Sequence, residues 1–146
     1  MSVVYPGGKA YKKQPIINAS ESTVVQNTWY NAIATALKGG YNIISITTNQ
    51  TNDETDAKDM EIELIADGIT YTGTVSNLNA TGTYWLIIGT SDAVIGSTTQ
   101  WNLGMRVGLR VHTITSLRYR TTSAPGTNQV IYCRVQIEKL ESVVDL

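Results

Sequence analysis

Two side chains in this sequence could make or break bonds on their own account, His112 as a base and Cys133 as a nucleophile, and each is the sole residue of its type. A catalytic histidine needs a group that orients it and a pocket that presents substrate to it. His112 instead closes a run of alternating residues on the polar side, where a plain surface role is expected. Cys133 falls in the apolar phase of its own run and is expected to behave as a small buried hydrophobe. A single cysteine also excludes an intramolecular disulfide and is compatible with a reducing compartment. No His/Cys cluster has zinc spacing, and no glycine-rich loop follows a strand and opens a helix to hold phosphate. Asp53, Glu54, Asp56 and Asp59 could gather oxygens around calcium, yet their spacing matches no EF-hand and a solvated loop is the plainer reading. The Asn-x-Ser/Thr triplets at Asn18, Asn49 and Asn79 read as chance in a chain rich in Thr and Asn. The expectation is a protein with no catalytic residue, no cofactor and no metal, hence not an enzyme.

Charge is laid out unevenly. Residues 53 to 67 carry Asp53, Glu54, Asp56, Asp59, Glu61, Glu63 and Asp67 against a single Lys58, whereas residues 93 to 137 carry Arg106, Arg110, Arg118, Arg120 and Arg134 and no acid. One reading is that both stretches are outer faces of sheets that pair inside one molecule. The other is that the arginine face of one copy meets the acidic hairpin of another, since arginine is the cation favoured at interfaces. Candidate interface residues are therefore Arg106, Arg110, Arg118, Arg120 and Arg134 on one side and Asp59, Glu61 and Glu63 on the other. Lys9, Lys12 and Lys13 add a small basic cluster beside Tyr5 and Tyr11. The net charge of -1 gives no global reason to expect nucleic acid or an anionic membrane as partner.

These residues must be positioned by strands. From Trp101 to His112 every second residue is apolar (Trp101, Leu103, Met105, Val107, Leu109, Val111), which writes one long strand with a dry and a wet face. At about 3.3 Å per residue it would span roughly 40 Å. Gly104 and Gly108 on the wet face mark a bend, a bulge or a close backbone approach. The phase slips around Thr113 to Ser116, after which Leu117 and Tyr119 alternate with Arg118 and Arg120. Asp67-Gly68 is a type I′ turn pair, and counting outwards matches Leu64 with Tyr71, Glu63 with Thr72, Ile62 with Gly73 and Met60 with Val75. Ile131, Cys133, Val135 and Ile137 alternate with Tyr132, Arg134 and Gln136 in a closing strand, after a turn at Ser123 to Asn128. Gly39-Gly40 is expected to turn the chain into a strand from Tyr41 to Thr48, with a surface loop from Asn49 to Asp59. Residues 22 to 38 are ambiguous: β-branched and aromatic residues favour strand in the first half, and the second half is open between strand and helix. Tyr84 to Ile88 is a short buried run.

At 146 residues the chain is expected to be one domain, residues 21–146, preceded by an N-terminal arm, residues 1–20, interrupted by Pro6, Gly7, Gly8 and Pro15. Such an arm is either a free tail or a segment that orders on a neighbour. The abundance of Thr with Val, Ile, Tyr and Trp is the composition of sheets. The expected fold is all-β, an antiparallel β-sandwich or jelly-roll-like domain of about eight strands with at most one short helix. No apolar run is long enough for a membrane span or a signal peptide, so a soluble, unexported protein is expected.

The succession Thr28-Trp29-Tyr30, Gly39-Gly40-Tyr41-Asn42-Ile43-Ile44-Ser45-Ile46, a polar loop, and Ile62-Glu63-Leu64-Ile65-Ala66-Asp67-Gly68 resembles small β-sandwich virion proteins of tailed bacteriophages. The resemblance covers residues 23 to 138 in outline. It implies a structural protein made in the host cytoplasm and carried in the virion, such as a capsid decoration protein or a head or tail accessory subunit, often trimeric. The basic N-terminal segment is then the place to look for contact with a larger shell. An alternative from another class is a carbohydrate-binding sandwich, which needs exposed aromatics in a row; the candidates are Tyr71, Tyr84, Trp85 and Trp101.

Overall fold

A computed structural model describes residues 8–51, 58–78, 85–89 and 108–142. Nine antiparallel strands carry these residues: β1 (Lys9–Lys13), β2 (Ile17–Glu21), β3 (Tyr30–Ile33), β4 (Leu37–Thr51), β5 (Lys58–Ala66), β6 (Ile69–Leu78), β7 (Trp85–Gly89), β8 (Leu109–Thr121) and β9 (Val130–Ser142). No helix occurs among the described residues. The all-β expectation holds.

The strands run β1-β9-β4-β8-β5-β6, and three long strands each serve two neighbours along one edge. β9 pairs with β1 near its end and β2 near its start, β4 passes from β8 to β7, and β8 passes from β4 to β3. These divisions fold the sheet over. β6 comes beside β7 and β2 beside β3, giving one layer of β2-β9-β4-β7 and another of β6-β5-β8-β3. Between the layers lies a core of Ile43, Ile46, Ile62, Leu64, Leu117, Tyr119, Ile131, Cys133 and Val135, all at most 1% exposed.

The hairpin at Asp67-Gly68 adopts the expected geometry, with φ of 50° and 74°, and pairs Leu64 with Tyr71, Glu63 with Thr72, Ile62 with Gly73 and Met60 with Val75. The burial alternation of β9 follows the sequence, Ile131, Cys133, Val135 and Ile137 facing in. The phase slip in β8 is real: the buried positions run Val111, Ile114, Leu117, Tyr119, with an irregularity in the pairing with β5 between Ile65 and Ala66. Residues 101–107 of the long alternating run lie outside the described residues; Leu109 to His112 are strand.

Four expectations need correction. Gly39-Gly40 does not turn the chain but forms a bulge inside β4, where both glycines have positive φ and the pairing with β8 jumps from Lys38–Thr113 to Tyr41–Val111. Asn49 to Thr51 are not surface loop: β4 continues to pair through them with Tyr132, Ile131 and Val130, and Asn49 and Gln50 are buried. Residues 22–29 are irregular rather than strand, because Asn27 turns at φ 60° and the segment is held by isolated backbone and side-chain bonds instead of a ladder. Gln26 Nε2 donates to the Thr122 carbonyl at 2.8 Å, and the Tyr30 hydroxyl accepts from Val25 N–H at 2.9 Å. Last, residues 9–13 and 17–20 of the proposed arm are strand residues of this sheet, laid on β9 of the same chain, with Ile17 and Ala19 packed on the core.

Candidate interaction surfaces

The arginine-bearing strand β8 divides into two parts with different neighbours. From Ile114 to Thr121 it lies against β5, and the register sets Arg118 opposite Glu63 and Arg120 opposite Glu61. Paired residues of adjacent strands point to the same side, so each guanidinium meets a carboxylate. Arg118 Nε and Nη2 donate to Glu63 Oε1 at 3.1 and 2.5 Å, and Arg120 Nε donates to Glu61 Oε1 at 2.5 Å. Trp29, at the foot of the irregular segment 22–29, lies under both arginines, 4.9 Å from the Arg118 guanidinium carbon and 4.2 Å from that of Arg120. Within one molecule this face is therefore neutralised, as the intramolecular reading of the charge layout requires. Trp29 was invisible as a member of this cluster in the sequence; its setting among Thr, Asn and Gln was the available sign.

Beyond Ile114, β8 leaves β5 behind, and among the described strands β4 alone flanks it. Here Arg110 stands opposite Asn42, which stands opposite Glu138, which stands opposite Lys13, a row across four strands on one side of the sheet. Asn42 Nδ2 donates to Glu138 Oε1 at 2.9 Å. Arg110 reaches across the sheet to Tyr11 of β1, 5.1 Å from its ring centre. The glycine bulge makes room for this. Gly40, with φ 94°, leaves open a depression of about 110 Å³ lined by Tyr11, Arg110, His112 and Leu140. Gly108 is the close approach expected of it, since a Cβ there would stand 2.6 Å from both Asn42 Oδ1 and the Ile43 carbonyl.

The remaining candidates are scattered. Lys12 pairs with Glu141 at 3.6 Å, while Lys9 and Lys13 are exposed along β1. Arg134 Nε donates to Asn18 Oδ1 at 3.2 Å on the outer side of β9. Asp59 ties the start of β5 to the end of β8, its N–H donating to Ser123 Oγ at 2.9 Å and its carbonyl accepting from Thr122 N–H at 3.0 Å. Arg106, Asp53, Glu54 and Asp56 lie outside the described residues, as do Tyr84 and Trp101 of the carbohydrate candidates. Tyr71 is half-buried against the core.

The two groups weighed for chemistry have definite settings. Cys133 is buried, and loss of solvation pushes its thiol up to about 12, out of reach of nucleophilic chemistry at neutral pH. His112 is exposed, and its backbone N–H is engaged: Asp67 accepts from His112 N–H at 2.9 Å and from Thr113 N–H at 2.9 Å. Those two amides hold the Asp67 carboxyl below the usual carboxylate range.

No family model matches the chain, and a search of curated proteins gives no match. Among solved structures, it is similar to a chain of the acidic stable capsid structure of Helicobacter pylori bacteriophage KHP30, with a TM-score of 0.50 and 14% sequence identity. The likeness covers 94% of this chain and 98% of that one, and at this identity it speaks for the fold.

Proposed function

We propose that this chain is a structural component of a phage virion that acts by assembly rather than by catalysis. The observation that carries the reading is the end-to-end likeness of fold to a chain of a phage capsid, which spans 94% of this chain and 98% of that one. The setting of Cys133 supports it, since its thiol is buried and presents no nucleophile at the surface. At finer grain, the chain is a capsid decoration or head or tail accessory subunit. It self-associates, with a trimer favoured, and binds a larger shell, and it is made in the host cytoplasm and carried in the virion. The exposed lysines of β1 and Arg110 of β8 are the polar groups such contacts would use.

The test is peptide mass spectrometry of density-gradient-purified particles from a lysate of cells expressing this gene in its phage context. Many copies per particle are expected. A chain confined to the soluble fraction and missing from particles would overturn the reading, and specific binding to a glycan array would favour a carbohydrate-binding module in its place.

A further inference from the structure

We infer that the outer face formed by β1, β9, β4 and the first residues of β8 docks the acidic run Asp53-Glu54-Thr55-Asp56 of a second copy. The inference rests on the assembly reading above and deepens it by naming the surface and its occupant. Sequence alone gathers all five arginines into one basic surface, but the sheet separates them. Arg118 and Arg120 are matched by Glu63 and Glu61, so neither is an unmatched cation on that face. On the other face Lys9, Lys13 and Arg110 meet no carboxylate among the described residues. The one acid in their row, Glu138, is engaged by Asn42.

Three cations thus stand on one side of the sheet around Tyr11. Beside them a second depression of about 250 Å³ opens at the Pro15 break between β1 and β2, lined by Lys13, Ile16, Ile44 and Glu138 among others. Ile16 is 39% exposed there. Tyrosine, isoleucine and arginine side by side, with unmatched positive charge, is the composition of a protein-binding surface. The complementary segment is in the same sequence: residues 53–56 hold three acids and no cation. Three acids against a face of three cations and one carboxylate, Glu138, with an apolar depression alongside, favours a second copy over a nucleic acid, whose recognition would call for stacking aromatics along a continuous basic groove. A contact between two different surfaces closes as a ring or a reciprocal pair.

The experiment is sedimentation velocity on the full chain at several salt concentrations, for wild type and three variants. The first variant carries Lys9→Glu, Lys13→Glu and Arg110→Glu; the second carries Asp53→Lys, Glu54→Lys and Asp56→Lys. The third, Arg118→Gln with Arg120→Gln, alters the other face. We expect wild type to associate, and to do so more weakly as salt rises. Each charge-reversed triple variant should self-associate at least about tenfold more weakly, and an equimolar mixture of the two should recover mixed assemblies. The third variant should associate like wild type. Unchanged circular dichroism in the first two variants keeps misfolding apart from lost docking. Wild type that is monomeric at high micromolar concentration, a mixture that stays monomeric, or a basic face that binds a DNA oligonucleotide while self-association is unaffected by its reversal would each overturn the inference. None of these results bears on whether the chain is found in particles, so the two readings fail separately.

Discussion

The two ends of β8 carry the same residue type on the same strand and use it in opposite ways. Arg118 and Arg120 stand over the Trp29 ring and end on carboxylates, and they serve the fold. Arg110 stands over the Tyr11 ring and is exposed to solvent. The cause is one feature of topology. β5 ends at Ala66, where the chain turns back through Asp67 and Gly68, so its acidic alternation stops four residues short of Arg110's level. In a sheet, what a charge is for depends on how far the neighbouring strand runs.

The comparison can be broken first at its hinge. Gly108 leads into the solvent-facing end of β8 at φ 95°, and any side chain there would press on the Ile43 carbonyl, which the ladder holds in place. Gly108→Val should destabilise by about 3 kcal/mol or more in a urea titration, the largest effect among these. Next, Trp29→Ala should cost about 1–2 kcal/mol because it uncovers two guanidinium groups and loosens segment 22–29, whereas Tyr11→Ala should stay below about 1 kcal/mol. Equal losses at the two ends would erase the distinction drawn between them. Smaller still, Glu63→Gln should cost about 0.5–1 kcal/mol and Arg110→Gln less than about 0.5 kcal/mol, the former losing its effect as salt is added.

The smallest effect is one of pH. The folded-state Asp67 carboxyl is held below its unfolded value, so its contribution is present above the ordinary carboxylate pKa of about 4 and is lost as pH falls through the folded value. Asp67→Asn should flatten the stability profile of the whole chain below about pH 4 and leave its pH 7 slope unchanged. A mutant profile parallel to wild type throughout would show that the Asp67 link to His112 and Thr113 carries no weight.

Local grammar was legible and non-local pairing was not. Asp67-Gly68 fixes its own register because turn type and alternation agree within a dozen residues, and the inward phase of β9 is written in its own side chains. Gly39-Gly40 misled because positive φ at two glycines suits a turn and a bulge equally; only the partner strand decides between them. Thr23, Val24 and Val25 misled because strand propensity has no force where no partner edge is offered. The face that the cations occupy was hidden for the same reason. Arg118 finds Glu63 at a separation of 55 residues and Arg120 finds Glu61 at 59, and nothing short of the β5–β8 register says which arginines would be left over.

The buried thiol has a practical use. Cys133 sits mid-strand in β9, paired with Ala19 of β2 on one side and Thr48 of β4 on the other, and it is the chain's sole cysteine. While those strands stay closed, a thiol reagent has no path to it; once they part, an ordinary reactive thiol appears. The rate of labelling at this one atom is therefore a built-in clock for the opening of the central layer, readable by mass without introducing any tag. It can be run on the free chain and on whatever assembly the chain enters, and a slower clock in the assembly would measure how far docking on the β1–β9–β4 face restrains the strands beneath it.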